Sequence, residues 1–172
     1  ATEKGIVVFN TPGANANAVK ELVVCGLLLA SRGIVQGSVF SSSLESSDDN
    51  ALNQSVEKAK KTFKGNEVQG KTLGIIGLGA IGSMVAQSAA SLGMKIIGYD
   101  PHISIDAAWR LPSDVEKASS IPALLKKSDY VSIHVPLIDD TKNLIDSNAF
   151  MAMKTGTKLI NLSRGGIVND EH

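Results

Sequence analysis

Lys71-Thr72-Leu73-Gly74-Ile75-Ile76-Gly77-Leu78-Gly79-Ala80-Ile81-Gly82 is the stretch on which the fold turns. Its first half is apolar and reads as a buried strand. Ser83-Met84-Val85-Ala86-Gln87-Ser88-Ala89-Ala90, directly after it, reads as a helix. Gly77, Gly79 and Gly82 lie between the two. A glycine-rich turn from strand to helix aims backbone N–H groups and the positive helix end at one point, which suits a pyrophosphate. The bland alternative is that these glycines only let strand and helix pack closely. A second apolar run, Lys95-Ile96-Ile97-Gly98-Tyr99, ends in Asp100. A carboxylate there can accept hydrogen bonds from both hydroxyls of an adenosine ribose. Strand, glycines, helix, strand and acid in this register favour dinucleotide binding over packing alone. Pro101, His102 and Ile103 follow Asp100, and the nearest arginine is Arg110. No cation stands ready for a 2′-phosphate, and the carboxylate repels one by about 1 kcal/mol or more at roughly 4 Å. The pattern therefore calls for NAD rather than NADP.

Working outward, Gly5-Ile6-Val7-Val8-Phe9 reads as a short strand and Asn10-Thr11-Pro12-Gly13 as a turn or hinge. Val19, Leu22, Val23, Gly26, Leu27 and Ala30 recur at helical spacing, which makes Asn15 to Arg32 a helix, stopped by Gly33. It is apolar over more than half its circumference and calls for burial, against this chain or another. The Ser- and Asp-rich segment from Ser38 to Asn50 reads as a surface loop, and the Lys-rich segment from Ala51 to Phe63 as a solvated helix. After Asp100 the pattern alternates. A helical turn at Asp106–Trp109 precedes a short strand near Val115. A helix follows at Ile121–Lys127, with Pro122 suited to its first turn. Asp129–Val135 is an alternating strand, Ser147–Met153 a helix, Thr157–Leu162 a strand, and Val168-Asn169-Asp170 a helix entry. Strands alternating with helices give an α/β fold with a doubly wound parallel sheet of the Rossmann type.

Composition narrows the function. Lys plus Arg and Asp plus Glu are 17 each, so the net charge is zero and nothing argues for nucleic acid or an anionic membrane as partner. The single cysteine, Cys25, excludes an intramolecular disulfide and reads as a small core residue. No Cys/His cluster has metal spacing, so no metal is expected. The apolar run Leu22–Ala30 is too short to span a bilayer. A cytoplasmic, reducing compartment fits.

Arg164 follows the last strand, at the carboxyl edge of the sheet where ligands bind in open α/β folds. A guanidinium there can pair with a substrate carboxylate and polarise a neighbouring carbonyl. The plainer alternative is a surface arginine at a helix entry. His134, before Val135-Pro136, reads as a structural or cofactor-lining residue rather than a proton carrier. His102 reads as a solvated loop residue, His172 as a chain end, Trp109 as cover for loop packing, and the lysines of residues 51–64 as a solvated face.

Four motifs in order resemble the nucleotide-binding domain of the D-isomer-specific 2-hydroxyacid dehydrogenases. They are Gly74-Ile75-Ile76-Gly77-Leu78-Gly79-Ala80-Ile81-Gly82, Gly98-Tyr99-Asp100-Pro101, His134-Val135-Pro136-Leu137 and Asn161-Leu162-Ser163-Arg164-Gly165-Gly166-Ile167-Val168. Residues 10–22 and 100–109 resemble the branch of that family that oxidises 3-phosphoglycerate at the entry to serine synthesis. The resemblance implies hydride transfer between NAD and the hydroxyl-bearing carbon of a small 2-hydroxy acid. It implies that Arg164 is the catalytic arginine. Ala80 and Ile81 would fall on the pyrophosphate turn, Asp100 on the ribose acid with Pro101 beside it, and His134, Val135, Pro136, Thr141, Leu162 and Ser163 on positions lining the dinucleotide. It implies a homodimer through the helix at residues 15–32.

The family's acid/base histidine and its glutamate both follow the arginine motif, and neither His172 nor Glu171 matches them. Residues 1–13 would then be the last strand of a substrate domain and a hinge. Residues 14–172 would be an NAD-binding domain, truncated at its C-terminal end. Two other readings stand beside this one: a dehydrogenase for another D-2-hydroxy acid, and a dinucleotide-sensing, corepressor-like binding protein.

Overall fold

In a computed structural model describing residues 2–11, 13–45 and 48–171, Thr72–Ile76 forms strand β1 and Lys95–Tyr99 forms β2, joined by helix α4, Ala80–Ser91. The two strands are parallel, with Leu73 opposite Ile96 and Ile76 opposite Tyr99. With β3 (Glu116–Lys117), β4 (Tyr130–Ile133) and β5 (Lys158–Asn161), they make one parallel sheet ordered β3-β2-β1-β4-β5. The order reverses between β1 and β4, which makes this the switch point of a doubly wound sheet.

Successive side chains on a strand point to opposite faces. Leu73 and Ile75 meet Val23 and Leu27 of α1 (Ala16–Ser31) and Val85, Ala86 and Ala89 of α4. Ile76 and, from β2, Ile97 meet the other layer, where Leu124 and Leu125 belong to α6 (Ile121–Lys127) and Ala149 to α7 (Ser147–Ala152). Because both faces are covered, β4 is buried throughout, including the polar Ser132, despite its alternating sequence. Tyr130 Oη lies 2.8 Å from Ser31 Oγ, whose own proton goes to the Leu27 carbonyl at 2.5 Å. Tyr130 is therefore the donor, and the pair ties α1 to the sheet.

Several expectations change. Residues 5–9 have strand-like composition but no strand to pair with among the described residues. They form no strand, and Ile6, Val7, Val8 and Phe9 are exposed. Pro12 of the expected hinge lies outside the described residues, as do Ala1, Ser46, Ser47 and His172. Gly33 ends α1 but also opens α2 (Ile34–Ser42). Half of the expected loop at residues 38–50 is thus helical, because Phe40 packs on Phe63, with ring centroids 5.4 Å apart. Helix α3 (Asp49–Ala59) then runs along the surface, with the Asp48 carboxylate accepting the Asn50 N–H. Val168 makes a parallel bridge to Ile145, and Asn169 Oδ1 accepts the Glu171 N–H, the bond expected of a cap there. Cys25 is exposed because it lies opposite the buried stripe of Val23 and Leu27. Trp109, at the end of α5 (Ile105–Trp109), is 84 % exposed and covers nothing. No single helix among the described residues is long and apolar enough to cross a membrane; α1 and α2, apolar together, meet at 70°.

Candidate functional site

A cavity of about 510 Å³ opens at the carboxyl ends of β1, β2 and β4, at the switch point. Gly77, Gly79, Asp100, Pro101, His134, Val135, Pro136 and Thr141 all line it. The turn at its base is built by sterics. Gly77 has φ of +92°, and a Cβ on it would come within 2.9 Å of the His134 carbonyl carbon. A Cβ on Gly82 would lie 2.0 Å from the Gly77 oxygen, so the first turn of α4 sits directly on the glycine loop. At Gly79, by contrast, a Cβ would meet nothing within 4 Å. No side chain caps α4. Its first N–H groups are left for a ligand on that open side.

Asp100 is half-buried and fastened on both oxygens. Oδ2 accepts the Leu78 N–H and Oδ1 the His102 N–H, each at 2.8 Å. The carboxylate therefore holds the end of β2 against the glycine loop. Each oxygen keeps further accepting capacity for a ribose hydroxyl. Across the cavity, Thr141 Oγ1 donates to the Pro136 carbonyl at 2.5 Å and accepts the Ile138 N–H at 2.9 Å, closing the loop that follows β4.

His134 is half-buried, with Nε2 2.9 Å from Ser132 Oγ. Loss of solvent pulls its pKa down to about 4, so the ring is neutral at pH 7. The unfolded chain takes up this proton near pH 6.5, the folded chain only near 4. Stability should therefore fall as pH drops through that window, by at most about 3 kcal/mol. Urea titrations of the parent and His134→Gln at about pH 7 and about pH 4.5 check this. Equal acid losses in both proteins would refute it.

Six expected site residues lie off the cavity wall, Gly82, packed against the Gly77 carbonyl, among them. Ala80 and Ile81 open α4, and Ile81 packs on the core. Leu162, Ser163 and Arg164 follow β5. Ser163 Oγ donates to the Ile133 carbonyl at 2.7 Å, linking this segment to β4. Asn161 Nδ2 donates to the Arg164 carbonyl at 2.9 Å. The exposed Arg164 guanidinium donates to the Ser163 carbonyl at 2.8 Å and makes no ion pair among the described residues. The cavity also recruits Tyr99, His102, Ile121, Ile138, Asp140 and Leu144. Of these, Tyr99 and His102 flank the Asp100 signal; His102 is exposed in the turn after β2, the solvated loop residue expected, and also lines the cavity. Among the described residues no group of three or more His, Cys, Asp or Glu can hold a metal ion.

The profile described as "D-isomer specific 2-hydroxyacid dehydrogenase, NAD binding domain" matches residues 39–172. The chain belongs to this family. NAD is the cofactor of that family's domain, and the open side of Gly79, the uncapped α4 and the Asp100 oxygens fit it. Within the family the chain is similar to "D-3-phosphoglycerate dehydrogenase" of Methanocaldococcus jannaschii, at 39% identity over 99% of this chain and 30% of that protein. It is equally similar to "Hydroxypyruvate reductase" of Thermotoga maritima, at 40% over 99% of this chain and 50% of the other. Among solved structures, Rhodotorula graminis D-mandelate dehydrogenase in its apo form superposes with a TM-score of 0.77 at 30% identity, covering 99% of this chain and 48% of that one. Lactobacillus jensenii D-lactate dehydrogenase with NAD+ gives 0.75 at 28%, covering 98% and 46%. The chain spans half or less of the length of these relatives.

Proposed function

We propose that this chain is the NAD-binding part of an oxidoreductase that passes a hydride between NAD and a D-2-hydroxy acid, with 3-phosphoglycerate as substrate. The observation that carries the reaction class is the exposed Arg164 guanidinium, without an ion pair among the described residues, at the carboxyl edge of a sheet whose switch point opens into the cavity. The likeness to D-3-phosphoglycerate dehydrogenases over nearly the whole chain supports the substrate. The hydroxypyruvate reductase and (S)-sulfolactate dehydrogenase relatives support a second reading, a dehydrogenase for another small 2-hydroxy acid. Residues 1–13 would then connect to a substrate domain.

When bound, NAD supplies the hydride acceptor. Asp100 orients the adenosine end and the glycine turn receives the pyrophosphate. Arg164 pairs with the substrate carboxylate and polarises the oxygen at the reacting carbon. It cannot take the hydroxyl proton, since a guanidinium stays charged. His134 is engaged with Ser132, and His102 lies at the Asp100 end of the cavity. We assign the base to a part of the protein outside this sequence. The test is NADH formation by the whole protein with 3-phosphoglycerate, glycerate and sulfolactate in parallel. Arg164→Ala should cut turnover by about 100-fold or more while NAD affinity holds. Turnover unchanged in that variant would sink the assignment, and preference for another acid would select the second reading.

A homodimer through α1 belongs to the same proposal. Leu22, Leu28 and Leu29 remain exposed on the side away from the buried Val23 and Leu27, and a cytoplasmic setting suits the exposed thiol of Cys25. Sedimentation should show a dimer that Leu22→Glu with Leu29→Glu disperses without lowering the melting temperature. A monomeric parent at high concentration would refute it.

A further inference from the structure

Ser132 is fully buried in β4, and His134, two residues on, continues the strand by donating its N–H to the Ile76 carbonyl at 2.7 Å. The two side chains therefore share a face. Ser132 Oγ and His134 Nε2 are 2.9 Å apart, and Oγ has no other hydrogen-bond partner among the described residues. A hydroxyl carries one proton, and here that proton has a single acceptor within reach. If Ser132 donates to Nε2, both atoms of the contact are satisfied, and the Nδ1–H keeps no partner among the described residues. If Nε2–H donated instead, the hydroxyl proton would be left in a dry strand with nothing to bind. A neutral imidazole carries its one proton on the nitrogen that is not accepting.

We propose that Ser132 is a positioning residue that fixes His134 as the Nδ1–H tautomer, so that the histidine offers a hydrogen-bond donor to the bound dinucleotide. The proposal rests on the reading of this cavity as the NAD site. It gives the two ends of the cavity opposite polarity. At the end of β2, Asp100 offers acceptors to hydroxyl groups. At the end of β4, His134 offers an N–H to an oxygen of the cofactor. Neutrality near pH 7 follows from the desolvated ring. The choice between tautomers follows from Ser132.

The test is long-range proton–nitrogen correlation on protein labelled at histidine nitrogen, recorded near neutral pH without cofactor. His134 should show a protonated-type Nδ1 and a pyridine-type Nε2. Ser132→Ala should lose that single-tautomer pattern and bind NAD about 5-fold more weakly. A protonated Nε2 in the parent, or an even mixture of the two forms, overturns the proposal without any variant having to fold. A pure Nδ1–H ring in Ser132→Ala overturns the role of Ser132. An Nδ1–H ring in a protein that binds no NAD overturns the use of the donor and the reading of the cavity, while control of the ring by Ser132 stands.

Discussion

Gly82→Ala is expected to cost about 3 kcal/mol or more and to abolish NAD binding. The added Cβ would sit 2.0 Å from the Gly77 oxygen and 3.0 Å from its carbonyl carbon. Both are backbone atoms, so no side-chain rotation relieves the clash. Nor can the loop retreat. The Gly77 N–H is bonded to the Tyr99 carbonyl at 2.9 Å, and the loop already lies close against the His134 backbone. Helix α4 must instead lift from β1 and pull Val85, Ala86 and Ala89 out of the core they form with Leu73 and Ile75. Gly79→Ala is the informative contrast. That position has open space and an ordinary φ of −67°. The change should leave the melting temperature within about 2 °C of the parent, yet place a methyl group where the proposed site receives the pyrophosphate. Thermal melts paired with calorimetric NAD titrations separate the two effects. A Gly82→Ala protein that melts with the parent would show that the close approach of helix and loop carries no weight.

The contrast between these two glycines also marks what a sequence discloses. The strand, turn and helix around Gly77 were legible because their spacing is fixed by local geometry, and so was the sheet class. The distinct duties of the glycines were not. One is required by φ, one by contact with a carbonyl, and one by the space it leaves, and only the fold separates them. Residues 5–9 show the opposite failure. Their β-branched composition suits a strand, but a strand needs a partner and none lies beside them among the described residues. Ser132 was invisible for a further reason. A serine in an alternating strand reads as solvent-facing, whereas β4 has β1 and β5 on its flanks and helices over both faces. Ile121, Ile138 and Leu144 come to the cavity from separate loops and helix ends, with no periodic pattern to announce them.

Asp100→Ala should weaken NAD binding roughly 10- to 100-fold and lower thermal stability at the same time. Sequence position proposes one duty for this carboxylate, the ribose, and the structure adds another. Its oxygens also hold the Leu78 and His102 N–H groups at 2.8 Å, and Leu78 is only 5 % exposed. Removing the side chain leaves a nearly buried N–H without its charged acceptor and frees the glycine loop to drift from β2. Part of the lost affinity would therefore come from a disordered turn rather than from the missing ribose bonds. Asp100→Asn separates the contributions. It keeps one accepting oxygen but turns an amide NH2 towards the other backbone donor, so it should fall between parent and alanine in both affinity and melting temperature. Both variants remove the charge that repels a 2′-phosphate, so the preference for NAD over NADP should narrow in each. Calorimetric titration of both cofactors against all three proteins, with melts alongside, distinguishes the outcomes. An alanine variant with parental melting but weakened NAD would confine Asp100 to the ribose. Equal affinity of the parent for NAD and NADP would end the argument that its charge selects the cofactor.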